Sequence, residues 1–329
     1  MNIYGTLGPA CSDVRTLESM LRSGMTGARL NLSHCSIDEA APMIEALQAA
    51  AANVGVKAAL LIDMQGPELR IGALAEPLFL TEGEQFSLGA GGVPVPAAVL
   101  PYLLPGQELL LDDGKILARV RENHGGSAIA AVLRGGVLQG RKSICLCGIS
   151  IETPVLTDMD LENIRKAAGY GVSWLMQPFV RRRQELEEVR AALDKNGGRD
   201  IRIMAKIESM EGLENIAQLI PVCDEICIAR GDLGNAMPLW QLPAAQKKLA
   251  KLCREAGRDF TVVTQMLYTM EKSPIPTRAE MSDVFNAVLD GAASLMLTGE
   301  TAVGAYPVEA VEYFVRAAKE AEEYMKNTY

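Results

Sequence analysis

Ile201-Arg-Ile-Met-Ala-Lys-Ile-Glu208 is an apolar run that ends in a lysine and a carboxylate two residues apart. In an extended chain the side chains at i and i+2 share a face, so Lys206 and Glu208 are expected to point into one space from the end of a strand. A second run, Asp224-Glu-Ile-Cys-Ile-Ala229, breaks into Arg230-Gly-Asp-Leu-Gly234 and offers another carboxylate, Asp232, beside glycines. Two carboxylates and a lysine at strand ends suit a divalent cation handling a phosphorylated or enolic substrate. Taken singly, either pair is also explained by an ion pair or a helix cap. The recurrence of the pattern along the chain favours the first reading.

Outward from that stretch, short apolar runs alternate with amphipathic helical patterns. The runs predict strands over 3–7, 27–30, 58–62, 173–176, 201–206, 225–229, 260–264 and 294–297. Helical periodicity predicts helices over 14–23, 38–52, 158–168, 184–195, 242–256, 278–289 and 308–324, with Pro307 suited to the first turn of the last. Alternation implies a parallel sheet, and eight units imply an α/β fold of the closed (β/α)8 type, the TIM barrel. The rhythm breaks from about residue 68 to 146, where helical periodicity gives way to turn signals such as Pro105-Gly, Asp112-Asp-Gly114, Asn123-His-Gly-Gly126 and Gly135-Gly136. This predicts a small all-β domain inserted after the third strand, with a barrel first part at 1–66, the insert at 67–148 and a barrel second part at 149–329. An insert at a strand's C-terminal end is expected to stand over the barrel mouth as a lid.

Composition narrows the function. The chain has 329 residues, 49% of them hydrophobic and 22% charged, enough for a large core. A net charge of −9 without a basic block, beyond Arg181-Arg-Arg183, argues against nucleic acid as a partner. Seven scattered cysteines, no CxxC and only two histidines argue against structural zinc and fit reduced thiols in a cytoplasmic protein. No leader-like N-terminus and no run of about 18 apolar residues occurs, so neither secretion nor a membrane partner is expected.

Six of the eight strands deliver polar groups to the same rim. Strand two ends in Arg29-Leu-Asn31-Leu-Ser33-His34, strand three in Asp63, strand five in Lys206 and Glu208, strand seven in Thr264 and strand eight in Thr298-Gly-Glu300-Thr301, while strand six leads to Asp232. Each has a plain explanation as a cap or turn residue; the convergence of all six on one face points to a catalytic site. Glu208 and Asp232 are hard oxygen ligands suited to Mg2+ or Mn2+. Lys206 and Arg29 can neutralise charge on a transferring phosphoryl group. Asn31, Ser33 and Asp63 offer oxygens suited to a monovalent cation, and Thr264 a hydroxyl that can position a carboxylate or relay a proton. Helix N-termini following Gly231 and Gly299 are expected to add backbone N–H donors for anions.

Several long stretches resemble the pyruvate kinase family. They are Gly5-Thr-Leu-Gly-Pro-Ala10, Met25-Thr-Gly-Ala-Arg-Leu-Asn-Leu-Ser-His34, Leu61-Ile-Asp-Met-Gln-Gly-Pro-Glu-Leu-Arg70, Lys206-Ile-Glu-Ser-Met-Glu-Gly212, Ala229-Arg-Gly-Asp-Leu-Gly234, Thr264-Gln-Met-Leu267, Pro276-Thr-Arg-Ala-Glu280, Ser282-Asp-Val-Phe-Asn-Ala-Val-Leu-Asp-Gly291 and Met296-Leu-Thr-Gly-Glu-Thr-Ala-Val-Gly304. The resemblance runs the length of the chain and is weakest in the insert. It implies phosphoryl transfer from phosphoenolpyruvate to ADP through an enolpyruvate, on a barrel with a mobile β lid. By the same resemblance Glu208 and Asp232 hold Mg2+ or Mn2+, and Asn31, Ser33, Asp63 and the backbone of Met64 hold K+. Arg29 and Lys206 meet the phosphoryl group, and Gly231, Asp232 and Thr264 meet the substrate carboxylate. Glu68 matches the K+-dependent members, and His34, Arg70 and Lys142 lie toward the nucleotide.

The chain also departs from the family pattern. Met64 and Gln65 stand where a threonine and a lysine are usual, Pro178 replaces a serine, Cys145 an asparagine, Cys35 a glycine and Val303 a lysine. The family's C-terminal regulatory domain is expected to be absent, which leaves a homo-oligomer possible but not the usual tetramer. Two other functions stay open on sequence. One is nucleotide-independent cleavage of a 2-oxo acid such as oxaloacetate, motivated by the polar groups lost at Met64, Gln65 and Pro178. The other is a non-catalytic sensor binding phosphoenolpyruvate or pyruvate in the same pocket.

Overall fold

The computed structural model describes residues 1–329 apart from His34, Asp113, Ser150 and Tyr329. Eight parallel strands close into a barrel: Asn2–Thr6, Gly27–Asn31, Ala59–Asp63, Trp174–Gln177, Arg202–Ile207, Glu225–Ala229, Phe260–Val263 and Ser294–Met296, called barrel strands one to eight below. Strand one pairs with strands two and eight, and strand three with strand four across the sequence gap, so the ring has no free edge. The fold is the (β/α)8 barrel that the alternation predicts, and each strand lies within two residues of its expected ends.

Period-two alternation sorts these strands into an inner and an outer face. The inward set forms one cluster, in which Leu61, Met176, Met204, Cys227 and Met296 are each fully shut off from water beside Tyr4, Trp174, Ala229 and Val263. Such side-chain layers make the barrel interior a packed core, not a pore. The same alternation continues past this layer to Thr6, Arg29, Asp63 and Lys206 at the C-terminal rim, and to Arg202, Glu225, Thr261 and Ser294 at the N-terminal mouth.

Helices pack around the outside. Residues Ala41–Val54 form the second, starting where Pro42 can occupy the first turn and closing on Gly55 in the left-handed conformation. Thr157 and Thr277 each close a capping box, on the helices Asp158–Ala167 and Arg278–Leu289. Four short helices escaped the periodicity: Met210–Glu214, Ile216–Leu219, Arg230–Ala236 and Gly299–Ala302. The last two follow strands six and eight directly.

A second compact unit comprises Pro67–Pro154 with Gly234–Leu239. It holds a five-stranded antiparallel sheet in the order Ile144–Leu146, Glu108–Leu111, Ile116–Asn123, Ser127–Arg134, Gln85–Gly89, and a two-stranded sheet of Leu78–Leu80 with Gly136–Leu138. Its own core gathers Leu88, Val99, Leu103, Leu109, Leu111 and Leu138, all fully buried. Among the described residues no helix is long and apolar enough to cross a membrane.

Candidate active site

Strands two, three and five each extend an inward-facing residue beyond the apolar layer at the C-terminal rim. The register sets Asn31 against Asp63 and Arg29 against Leu61, so Arg29 reaches Asp63 on the adjacent strand. Its Nε donates to Asp63 Oδ2 at 2.8 Å and its Nη2 lies 2.6 Å from the same oxygen. Lys206 Nζ donates to both oxygens of Asp63, at 3.2 and 3.0 Å, and lies 3.0 Å from Glu208 Oε1. Arg29, Asp63, Lys206 and Glu208 therefore form a line of alternating charge that sums to zero. Arg29 Nη1 also reaches Thr6 Oγ1 at 3.3 Å, and that hydroxyl donates to Leu297 O, which ties strand one into the group.

Burial makes this arrangement obligatory. Asp63 is 1% exposed and Glu208 3%, and a charge in such a place must be paired. Burial pushes the Asp63 carboxyl up, but Lys206 and Arg29 more than reverse this and hold it below the ordinary carboxylate range. Burial likewise works against the Lys206 ammonium, and Asp63 followed by Glu208 raise it above its ordinary value. Lys206 is thus a fixed cation. The shared face expected for Lys206 and Glu208 is seen directly in their 3.0 Å contact.

The loops above the rim are held under strain. Phe179 has φ +51° and donates its N–H to Glu208 Oε2 at 2.8 Å. Thr264 has φ +81° and Gln265 φ +55°, and for a β-branched residue such a value is an outlier that the surroundings must enforce. Arg230 does so: its Nε and Nη2 donate to Thr264 O at 3.2 and 2.8 Å, while Nη1 holds Asp283 Oδ1 at 2.8 Å. Gly231 sits where a Cβ would lie 3.1 Å from Thr264 Cγ2, so the short helix Arg230–Ala236 approaches Thr264 closely because residue 231 has no side chain. Glu300, 1% exposed, accepts from Leu267 N at 3.1 Å and Thr298 N at 2.7 Å, stitching the loops after strands seven and eight.

Arg29, Asp63, Lys206 and Glu208 are brought into contact, and Gly231 is brought against Thr264. Asp232 follows Gly231 in the first turn of the same helix and is half-buried. Asn31 Oδ1 accepts from Ser33 N at 3.0 Å, a local turn that places both residues just past the end of strand two. Met64 continues from strand three, its N–H donating to Met176 O at 3.1 Å. His34 lies outside the described residues. In the second unit Arg70 and Lys142 are neighbours, since Ile71 N donates to Lys142 O and Arg70 bridges Ser143. There Lys142 lies 3.0 Å from Asp112 Oδ1, and Arg70 Nη2 lies 2.7 Å from Glu68 Oε2.

Three positioning groups escaped sequence reasoning. Arg230 clamps Thr264, 34 residues away, and is itself held by Asp283, 53 residues away, and no local pattern announces either pairing. Asp160, fully buried, accepts from Gln65 N and Gly66 N, both at 3.0 Å, and pins the loop after strand three. Its signal was available: Thr157-x-x-Asp160 is a capping box, which places a carboxylate at a helix start.

The donor set fits a hard divalent cation. Glu208 keeps lone pairs beyond those used by Lys206 and Phe179, and Asp232 supplies a second carboxylate from the next strand end; one or two carboxylates are what Mg2+ takes from protein. Among the described residues no group of three or more His, Cys, Asp or Glu forms a closed cage. Asn31, Ser33, Asp63 and the Met64 carbonyl are all oxygen donors, the right type for K+.

A (β/α)8 barrel with a buried, charge-balanced quartet at the C-terminal ends of its strands belongs to the class in which that rim carries the chemistry. Residues 1–311 match the family model "Pyruvate kinase, barrel domain". The chain is 37% identical over 332 residues to a pyruvate kinase of Agrobacterium vitis, covering 98% of this chain and 68% of that one. It is 36% identical to a pyruvate kinase of Geobacillus stearothermophilus, over 99% of this chain and 57% of the relative. It is also 36% identical to one of Aeropyrum pernix, over 98% and 70% respectively. The chain belongs to the pyruvate kinase family, and it spans between 57% and 70% of the length of these relatives.

Proposed function

We propose that the chain transfers a phosphoryl group between phosphoenolpyruvate and ADP, giving pyruvate and ATP. The observation that carries this reading is the Arg29–Asp63–Lys206–Glu208 quartet at the rim of a barrel of this family. In the forward direction the bond between phosphorus and the enol oxygen breaks while a bond from phosphorus to a β-phosphate oxygen of ADP forms. The enolpyruvate left behind takes a proton at carbon and becomes pyruvate.

The residues divide that work by their chemistry. Arg29 and Lys206 present a guanidinium and an ammonium already fixed in place, so charge on the migrating phosphoryl group meets cations that need no reorganisation. Asp63 keeps both charged and orients them while the site is empty of substrate. Gly231, Asp232 and Thr264 are assigned to the substrate carboxylate, with the Arg230 clamp setting the direction of the Thr264 hydroxyl. Glu208 and Asp232 are assigned to Mg2+ or Mn2+, and Asn31, Ser33, Asp63 and Met64 to K+. When bound, these ions would supply positive charge that offsets the negative charge of the phosphoryl group and the enolate. His34, Arg70 and Lys142 are assigned to the nucleotide.

The test is pyruvate formation coupled to a reporter dehydrogenase, with and without ADP, Mg2+ and K+. ADP-dependent turnover that disappears in Lys206→Met is the expected result. Turnover that needs no nucleoside diphosphate, or none at all in the wild type, would refute the assignment.

A further inference from the structure

The N-terminal mouth of the barrel has a polar concavity of its own. A cleft of about 590 Å3 opens among the loops that lead into strands five, six and seven. It is lined by Arg190 and Asp194 from the helix Arg183–Lys195, by Arg199, by Cys223 and Asp224, and by Arg258. Because all eight strands run parallel, these loops lie at the end of the barrel opposite Lys206 and Glu208. Nothing in the proposed reaction uses them.

Three guanidinium groups here face two carboxylates, which leaves net positive charge in a concave site. Arg190 is part of the frame: its Nη1 donates to Arg199 O at 3.2 Å and its Nη2 to Ile201 O at 2.8 Å. Its carboxylate neighbours are loose, Asp194 at 3.5 Å and Asp224 at 3.6 Å. Asp224 is itself engaged, since its Oδ2 accepts from Ile203 N at 2.7 Å.

The other two arginines are underused. Among the described residues Arg258 makes one hydrogen bond, Nη1 to Asp224 O at 3.3 Å, and its Nε is shut off from solvent with no acceptor. Arg199 is exposed, and among the described residues its side chain makes no hydrogen bond or ion pair. A guanidinium has five N–H donors, and a buried donor without an acceptor is costly. Arg258 is short of an acceptor, Arg199 beside it presents a fork that no protein acceptor among the described residues occupies, and the acceptor that matches a guanidinium fork is a tetrahedral or planar oxyanion.

We propose that this cleft binds a phosphate group, free or as the end of a small phosphorylated metabolite, through the forks of Arg199 and Arg258, with Arg190 holding the positive field. The volume falls within the roughly 300–1,000 Å3 of small-molecule sites, so it accommodates more than the phosphate alone. Its lining is mostly polar and charged, which selects against apolar ligands.

The full chain is titrated with inorganic phosphate by calorimetry at fixed ionic strength, chloride balancing the phosphate, and the same titration is run on Arg199→Ala and Arg199→Glu. Arg199 is chosen because its side chain supports no contact of the fold, so both variants should melt at the wild-type temperature in chloride. The expected result is a saturable equivalent of phosphate in the wild type, weakened at least tenfold in Arg199→Ala and abolished in Arg199→Glu. Arg258→Gln should weaken it similarly. An isotherm unchanged by Arg199→Glu would place any bound phosphate elsewhere and overturn the proposal, as would the absence of saturable binding in the wild type. Glucose 6-phosphate and glycerol phosphate as alternative titrants distinguish a phosphomonoester site from one confined to the free ion.

Discussion

The two mouths of this barrel each bury a carboxylate, and they treat it in opposite ways. At the C-terminal rim Asp63 is gripped by a guanidinium and an ammonium, which overcome burial and keep it ionised. At the N-terminal mouth Glu225, 2% exposed, accepts from the Thr261 hydroxyl and is also bonded by Ser294, and burial raises it above the ordinary carboxylate range. The cation that acts on it, Arg202, offsets burial only weakly and stacks with its Cζ 3.8 Å from the centre of the Trp174 ring. Tyr4 shares the pocket, and its phenol is pushed up to about 12 by burial and then by Glu225. One mouth fixes charge and the other suppresses it. Preorganised charge is what phosphoryl transfer requires, and neutral packing is what a structural floor requires.

The largest effect that could break this contrast comes from Lys206. Lys206→Met should lower turnover of phosphoenolpyruvate and ADP by about 10³-fold or more, because a fixed cation is lost from the transferring group. It also leaves Asp63 with Arg29 alone and Glu208 with one backbone donor, so urea unfolding should show a loss of about 3–5 kcal/mol. Near-normal activity in Lys206→Met would mean that the rim's charge balance is structural only, and the contrast with the floor would collapse.

Asp63→Asn tests the same end by pH. A carboxylate lowered in the fold contributes stability that is present above its unfolded value, near 3.9, and is lost as pH falls through its folded value. The variant should therefore be less stable than wild type by about 3 kcal/mol at pH 7, with the gap closing below roughly pH 4. Lys206 has the opposite sign, its contribution being lost only as pH rises through a folded value above 10.5, so no alkaline loss from it is expected below pH 9. Unfolding curves at pH 3.5, 5, 7 and 9 check both directions.

Glu225→Gln is the matching experiment at the floor, with a smaller and reversed effect. A carboxyl raised in the fold penalises the native state once pH exceeds its unfolded value, near 4.3. Glutamine keeps an acceptor for Thr261 and cannot ionise, so the variant should equal or exceed wild-type stability at pH 7, by roughly 1 kcal/mol, and lose that advantage toward pH 4. A destabilised Glu225→Gln at neutral pH would show that the floor carboxylate is charged and paired after all.

How much of this contrast was visible in the sequence differs between the two ends. Alternating runs and helical periodicity were enough for the eight strands and the inserted β unit, because both signals are local. The polar residues of the rim were visible too, since each interrupts an apolar strand end. Their pairing was not. Asp63 was grouped with Asn31 and Ser33 as a cation ligand, and its contacts with Arg29 and Lys206, 34 and 143 residues away in the chain, went unforeseen. Strand register decides that pairing, and register is a property of the closed ring. The helix start near Gly231 was legible, and the helix runs over Arg230–Ala236, but the Arg230 clamp on Thr264 and Asp283 was not, because it is tertiary. Glu225 was read as the start of a strand and nothing more, for a buried glutamate carries no mark in sequence until its neighbours are known.

The finest test concerns the strained loop that the floor lacks. Thr264 has its Cγ2 3.1 Å from the point where a Cβ on residue 231 would sit, but its Oγ1 is 3.6 Å away, at ordinary contact distance. Gly231→Ala should therefore cost little, about 1 kcal/mol or less, since alanine is the better helix former and only one methyl contact is tight. Thr264→Ser removes that methyl, keeps the hydroxyl and lessens the strain of a β-branched residue at φ +81°. If the close approach sets the position of the Thr264 hydroxyl, the two changes must couple: alanine at 231 should be harmless to stability in the serine background and show its small cost, about 1 kcal/mol or less, only in the threonine one. It should also raise KM for phosphoenolpyruvate more than it lowers kcat, because both residues are assigned to the substrate carboxylate. A double-mutant cycle with no coupling would separate the glycine from the hydroxyl and leave the Arg230 clamp as the sole determinant of that geometry.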